Sequence, residues 1–254
     1  MVGMDLRIFH QDVQIGFFDA DVKLRVSPTA YWRILQNAAA GHAALLSAAT
    51  EELRKAGQTW MLSKLRLEVT RHPLLGESIH VETWPSTKIK GARAYRDFVL
   101  KDDASNICAS ASSLWVIVDL ATRRPVRIPD AIVSLCHDPG YVIPAITDSW
   151  LEAPAPALKT VFTAYWSDAD QNEHVNNVAM VRWAIDALPV SFLETNQLVW
   201  AEAHYRAEVA IGDQVEVDSE IAGMSVKQAI TKHGTIVAIV HSGWCSSDPS
   251  TIAP

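Results

Sequence analysis

Two stretches of the chain change their apolar period in the same order. From Ser27, the apolar positions Tyr31, Ile34, Leu35 and Ala38 recur at helical spacing, with Ser27 placed to cap the helix and Pro28 at its first position. From Asn176, the residues Val178, Val181, Ile185 and Leu188 repeat that spacing until Pro189 stops the run. After each helix the pattern becomes extended. The predicted strands lie at about 59–71, 77–85, 92–101 and 107–118 after the first helix, and at about 199–210, 213–223, 226–232 and 234–243 after the second. Within 199–210, Trp200, Glu202, His204, Arg206 and Glu208 alternate with Ala201, Ala203, Tyr205, Ala207 and Val209, the period of two that divides a strand between its faces.

The parallel extends to the residues themselves. FFDADVKLRVSPTAYWRILQNAA, from Phe17, aligns without gaps with WSDADQNEHVNNVAMVRWAIDAL, from Trp166. Asp19, Ala20, Asp21, Val26, Ala30, Arg33 and Ala38 recur as Asp168, Ala169, Asp170, Val175, Ala179, Arg182 and Ala187. A second block follows in the same order: Trp60–Val69 resembles Trp200–Val209, and Gly76–Glu82 resembles Gly212–Asp218. Between the halves runs a stretch broken by Pro139, Pro144, Pro154 and Pro156, which forbid most regular structure. The expected organisation is a first unit at 1–138, a linker at 139–158 and a second unit at 159–254. One long helix followed by a meander of antiparallel strands is the hotdog arrangement, and two in tandem make an α+β double hotdog.

Composition narrows the chemistry. The 254 residues carry 22 Lys and Arg against 29 Asp and Glu, a net charge of -7, which disfavours a chain-wide attraction for nucleic acid or anionic lipid. No G-x-G-x-x-G, no G-x-x-x-x-G-K-[ST] and no G-x-S-x-G occurs, so nucleotide cradles and the serine-hydrolase elbow lose their basis. Cys108, Cys136 and Cys245 lie far apart, giving neither a disulfide framework nor a zinc spacing, and no other grouping has metal-ligand spacing. No apolar run is long enough to span a bilayer, and the N-terminal residues do not read as a signal peptide. These features point to a soluble cytoplasmic protein with no metal and no other cofactor.

The densest chemistry is Asp168-Ala-Asp170-Gln-Asn172-Glu-His174-Val-Asn176-Asn177, directly before the second helix. A helix start offers unpaired N–H groups and a partial positive charge, a natural place for a carbonyl oxygen that becomes an oxyanion; Val175, Asn176 and Asn177 would supply these amides. His174 has the chemistry to polarise a substrate or move protons. The competing reading is a polar turn whose Asn and Asp side chains only cap the helix. At the positions of Asn172 and His174 the first unit has Lys23 and Arg25, which suggests that the two units took different duties.

WSDADQNEHVNN closely resembles the signature of the acyl-ACP thioesterases, a double-hotdog family of plant plastids and bacteria. The likeness extends to TWMLSKLRLEVTRHPLLGESIHVETW (Thr59 to Trp84), RRPVRIPDAI (Arg123 to Ile132) and HYRAEV (His204 to Val209), and covers about Ile8 to Trp244. The resemblance implies a catalytic set of Asp170, Asn172, His174 and Glu208. Alternation alone would leave Glu208 on a solvated or ion-paired sheet face with Glu202, His204 and Arg206. Many plant members carry Cys after that Glu, whereas this chain has Val209, so a thiol acyl-enzyme there is excluded. The implied activity is hydrolysis of fatty acyl-acyl carrier protein in fatty acid biosynthesis, with acyl carrier protein as partner and the chain a monomer or homodimer. A start close to the first strand fits a bacterial cytoplasmic member better than a plastid precursor.

The family analogy places the acyl chain in the first unit, where Leu35, Ala39, Trp60 and Met61 are candidate lining residues. Docking of an acidic carrier onto an acidic chain requires a local basic patch, for which Lys88, Lys90, Arg93, Arg96, Arg123 and Arg124 are candidates; the competing reading is solvated strand edges. The alternatives are a hotdog acyl-CoA thioesterase and a non-catalytic acyl-binding protein.

Overall fold

The computed structural model describes residues 6–46, 50–89, 91–155, 157–171 and 173–247. The chain divides into two compact units, Met1–Ile146 and Thr147–Pro254.

The first unit contains β1 (Phe9–Gln14), α1 (Pro28–Leu45), α2 (Thr50–Lys55), β2 (Gln58–Val69), β3 (Ser78–Pro85), β4 (Arg93–Lys101), β5 (Ile107–Asp119), β6 (Pro125–Val126) and α3 (Asp130–Val133). Its strands run in the order β1-β3-β4-β5-β2, antiparallel throughout, with β6 added to β5. Helix α1 starts where the sequence places it: Ser27 Oγ accepts a hydrogen bond from the Ala30 N–H and Pro28 occupies the first turn. Tyr31, Trp32, Ile34, Leu35, Ala38, Ala39 and His42 are buried, a stripe wide enough to seat the helix on the sheet. Gly41 allows the close approach, because the Phe9 ring lies where a Cβ would project.

The second unit contains β7 (Leu158–Thr163), α4 (Asn177–Asp186), α5 (Val190–Thr195), β8 (Asn196–Tyr205), β9 (Gln214–Ala222), β10 (Ser225–Lys232) and β11 (Thr235–Ser246). Its antiparallel order is β8-β11-β10-β9-β7. Asn176 caps α4 through the Val178 N–H, and Ala179, Met180, Val181, Trp183 and Ala184 form the buried side. Each unit is therefore one long helix against an antiparallel sheet.

The predicted strands recur with shifts of a few residues, with one consequential exception. The stretch expected at 199–210 leaves the sheet after Tyr205, so Glu208 stands on the following loop rather than on a strand face. Glu202 and His204 are not a solvated face either: their side chains are 1% and 0% exposed, with His204 Nε2 2.7 Å from Glu202 Oε1.

The segment expected to be a linker covers them. Thr147 donates to Glu202 through both its N–H and its hydroxyl, the Leu151 N–H donates to His204 Nδ1, His241 Nε2 donates to the Glu152 carbonyl, and the Ala155 N–H donates to Glu220. A proline-bearing segment thus straps β8, β11 and β9 of its own unit, where its free N–H groups satisfy buried acceptors. The earlier part of the expected linker belongs to the first unit, with Tyr141 Oη donating to Glu82 and receiving a hydrogen bond from Lys101. Strands β1, β6 and β7 and the short helices were not predicted. No helix among the described residues is long and apolar enough to cross a membrane.

Candidate active site

The signature segment owes its shape to Asp168. One carboxylate oxygen accepts from the Tyr165 N–H at 2.9 Å and the other from Arg182 Nη2 at 2.6 Å, while its carbonyl accepts from the Asn176 N–H at 2.8 Å. A single-turn 3-10 helix, Trp166–Asp168, is thereby fixed to the start of α4. Beyond it the Asp170 N–H donates to the His174 carbonyl and the Glu173 N–H to the Asp170 carbonyl, closing a tight loop with Glu173 in the left-handed region at φ 63°.

The loop after β8 is drawn alongside. The Val175 N–H donates to the Val209 carbonyl at 2.9 Å, and His174 bridges Ala210. The pairing sets Glu208 opposite His174, with Oε2 3.4 Å from Nε2 and side chains 31% and 40% exposed. Asp170 is half-buried two residues beyond Asp168. A carboxylate and an imidazole thus meet beside the N-terminus of α4, each partly exposed, and the backbone of Asp170 closes the loop that carries His174.

The first unit repeats the framework with different groups. Asp19 accepts from the Gly16 N–H and pairs with Arg33, the Val26 N–H donates to the Pro73 carbonyl, and Leu24 takes φ 61°. There Asp21 is occupied: Arg25 reaches its Oδ2 through Nε and Nη2, and the Lys23 and Arg25 N–H groups bond its Oδ1. The backbone pairing also corrects the repeat alignment, since Val209 matches Pro73. The counterpart of Glu208 is then His72, not Glu68.

Of the three helix-start amides expected to face a substrate, two are already used, Val175 by the Val209 carbonyl and Asn176 by the Asp168 carbonyl. Only the Asn177 N–H has no partner among the described residues. Asn172 and Lys90 lie outside the described residues.

Among the expected docking residues, Lys88, Arg93, Arg123 and Arg124 are exposed. Arg96 is not one of them: its Nη1 donates to His42 Nδ1 at 2.9 Å and to Thr83 Oγ1 at 3.2 Å, and burial pulls its pKa down to about 10. On α1, Leu35 and Ala39 share the buried side. Trp60 packs beside Leu53, Ala94, Ile117, Ile128 and Ile132, whereas Met61, its neighbour on β2, faces the other side of the sheet. The two therefore do not line one space. No cluster of three or more His, Cys, Asp or Glu among the described residues is arranged to hold a metal.

Two residues that sequence reasoning passed over belong to the same neighbourhood. Lys232 Nζ donates to the Glu208 carbonyl at 3.3 Å and to Asp213 Oδ2 at 2.9 Å. The only sequence signal was the recurrence of Gly76-Glu77 as Gly212-Asp213.

Comparison with known proteins places the chain in a family. The acyl-ACP thioesterase N-terminal domain model matches residues 7–136 and the C-terminal domain model residues 152–246. A chloroplastic palmitoyl-acyl carrier protein thioesterase of Cuphea hookeriana is 29% identical over 216 residues, 79% of this chain and 52% of the relative. A chloroplastic oleoyl-acyl carrier protein thioesterase of Coriandrum sativum is 29% identical over 194 residues, 69% and 52% of the two chains. The chain spans about half the length of these curated relatives.

Among solved structures, an acyl-ACP thioesterase from Bacteroides thetaiotaomicron VPI-5482 aligns with a TM-score of 0.85 at 24% identity, covering 94% of this chain and 98% of its own. The 12:0-ACP thioesterase from Umbellularia californica aligns with a TM-score of 0.85 at 23% identity, with the same coverages. These structural likenesses establish the double-hotdog fold. The domain models go further, and with both halves matched in order the chain belongs to the acyl-ACP thioesterase family.

Proposed function

We propose that the chain hydrolyses the thioester of fatty acyl-acyl carrier protein, releasing free fatty acid and the carrier thiol, in a reducing cytoplasmic compartment. The observation that carries the proposal is the 3.4 Å approach of Glu208 to His174 at the start of α4, in a chain whose two halves match the thioesterase models. The names of the relatives, palmitoyl, oleoyl and 12:0, all denote fatty acyl groups on acyl carrier protein.

In this reading the thioester carbonyl lies over the N-terminus of α4, where the Asn177 N–H and the positive end of the helix stabilise the developing oxyanion. Glu208 takes a proton from water, whose oxygen attacks the carbonyl carbon. The C–S bond breaks as the tetrahedral intermediate collapses. The proton passes from Glu208 to its neighbour His174 and on to the departing sulfur. Water's hydroxyl thus ends on the acyl carbon and its proton on the thiol. Asp170, with Asn172 assigned by resemblance, orients the water. Val209 follows Glu208, so no thiol nucleophile stands at that position.

The test is incubation with acyl-ACPs of graded length, reading thiol release and the fatty acid formed, beside the same acyl groups on coenzyme A. Efficient cleavage of acyl-ACP with much slower cleavage of acyl-CoA is expected. A preference for acyl-CoA would transfer the assignment to that carrier, and no thiol release from either would remove it.

A further inference from the structure

The catalytic reading requires Glu208 to hold its distance from His174, although Glu208 sits on a loop outside the sheet. Its carboxylate has no strand beneath it to set its direction. Rigidity must come from contacts made by the loop itself, and Lys232 at the end of β10 provides one of them.

Lys232 Nζ reaches the Glu208 carbonyl at 3.3 Å and the Asp213 carboxylate at 2.9 Å. The same oxygen of Asp213 accepts from the Ala210 N–H at 2.8 Å, and the Asp213 N–H donates to the Ala210 carbonyl at 3.1 Å. Asp213 thus closes the 210–213 turn, and Lys232 ties that turn to the loop before it. Lys232 and this Ala210 N–H hold the Asp213 carboxyl below the usual carboxylate range, so the clamp stays charged at neutral pH. On the other side of Glu208, Arg206 Nη2 donates to the Leu151 carbonyl, and its guanidinium lies over the Trp150 ring.

The duplicate isolates what is special here. In the first unit the acid of the matching turn, Glu77, pairs with Arg71 from the same loop, and Arg71 also reaches Asp102. The residue matching Arg71 in the second unit is Ala207, and the cation arrives instead from β10. It is bonded to the backbone of the loop residue whose carboxylate meets the His174 ring.

We propose that Lys232 is a positioning residue for the hydrolysis: it anchors the Glu208 backbone so that the carboxylate stays in register with His174. The inference rests on the reading of Glu208 and His174 as the reacting pair. Lys232 touches neither the acyl group nor the water.

The experiment compares steady-state hydrolysis of a palmitoyl-acyl carrier protein by Lys232→Met, Lys232→Arg, Asp213→Asn, Glu208→Gln and Lys232→Met/Glu208→Gln. Misplacing a reacting group by about 1 Å costs up to about 100-fold in rate, so Lys232→Met should lower kcat by about 10- to 100-fold and leave KM within about twofold. Lys232→Arg, which still donates to both acceptors, should recover most of kcat. Asp213→Asn keeps an acceptor for Ala210 but loses the charge pair, and should lose kcat by about 3- to 10-fold, a milder misplacement.

Because Lys232 acts through Glu208, adding Lys232→Met to Glu208→Gln should cost no more than about twofold further. Full multiplication of the two losses would show a merely structural effect and overturn the proposal. So would wild-type kcat in Lys232→Met, or in Asp213→Asn should Lys232→Met fail to fold. Wild-type kcat in Glu208→Gln would instead remove the catalytic reading beneath it, which separates the two failures.

Discussion

At the scale of single residues, the site divides sharply between what is local in sequence and what is not. Asp170 and His174 stand out because one short turn before a helix carries them, and Asp168 fixes that turn through bonds within its own segment and α4. Glu208 was singled out by family resemblance alone, since its place depends on the Val175–Val209 bond and on a strand that ends earlier than alternation suggests. The helix-start amides illustrate the same limit. Their type was legible, but which of them is consumed by a distant carbonyl was not. A positioned acid–base group contributes about 100- to 10,000-fold, so Asp170→Asn, His174→Ala and Glu208→Gln are each expected to lose turnover on that scale with unchanged circular dichroism. Wild-type-like turnover by any one of them strikes that residue from the mechanism. Direct attack by water also predicts that turnover in ¹⁸O-water labels the fatty acid and leaves the Asp170 carboxylate unlabelled in a peptide digest. Label in Asp170 would convert it from an orienting group into the nucleophile.

At the scale of elements, the periodicity found α1 and α4 with their caps and most strands, because each of these buries one face and reports it every second or every third to fourth residue. Strands β1 and β7 were missed: they are short and lie at the ends of their sheets, leaving half their positions in water. The contact of α1 with β1 and β4 supplies two tests. Alanine in place of helical Gly41 would gain about 1 kcal/mol from propensity. Its Cβ, however, would stand 2.9 Å from the Phe9 ring, which is stacked on His42 and has little room to yield. Overpacking costs about 1–3 kcal/mol, so Gly41→Ala should destabilise on balance. A higher denaturation midpoint would show that Phe9 moves freely. His42, 1% exposed and bonded to the Leu6 carbonyl, is held neutral by burial and by the adjacent Arg96 charge, its pKa lowered to about 4 from 6.5. A histidine with a depressed folded pKa keeps its full contribution above the unfolded value. It loses that contribution as pH falls from about 6.5 toward 4, by about 3 kcal/mol in all. His42→Gln should flatten the fall in unfolding free energy across that window, and an unchanged slope would assign the acid sensitivity to other groups.

At the scale of the whole molecule, the duplication made the architecture readable, because two halves that repeat one order of elements constrain each other. The two units differ at the helix start: Arg25 closes on Asp21 in the first, where His174 meets Glu208 in the second. The proposed activity sets a net charge of -7 against an acidic carrier, and docking would have to overcome that repulsion. Two electrostatic effects oppose each other. Like net charges repel over long range, and salt screens this, so a chain relying on no local patch should bind better as salt rises. Attraction to exposed Lys88, Arg93, Arg123 and Arg124 acts at short range and weakens as the Debye length shrinks from about 10 Å at 0.1 M toward about 3 Å at 1 M. The sign of the salt dependence therefore decides between them. If the patch is the docking surface, KM for an acyl-ACP should rise steeply with salt while kcat holds, and Lys88→Glu/Arg93→Glu should raise KM about 10-fold at low salt, a loss of about 1.4 kcal/mol. The same variant should leave KM for an acyl-pantetheine, which carries no protein surface, unchanged. A KM that falls with salt, or a variant equally impaired on the small thioester, would remove these four residues from carrier recognition.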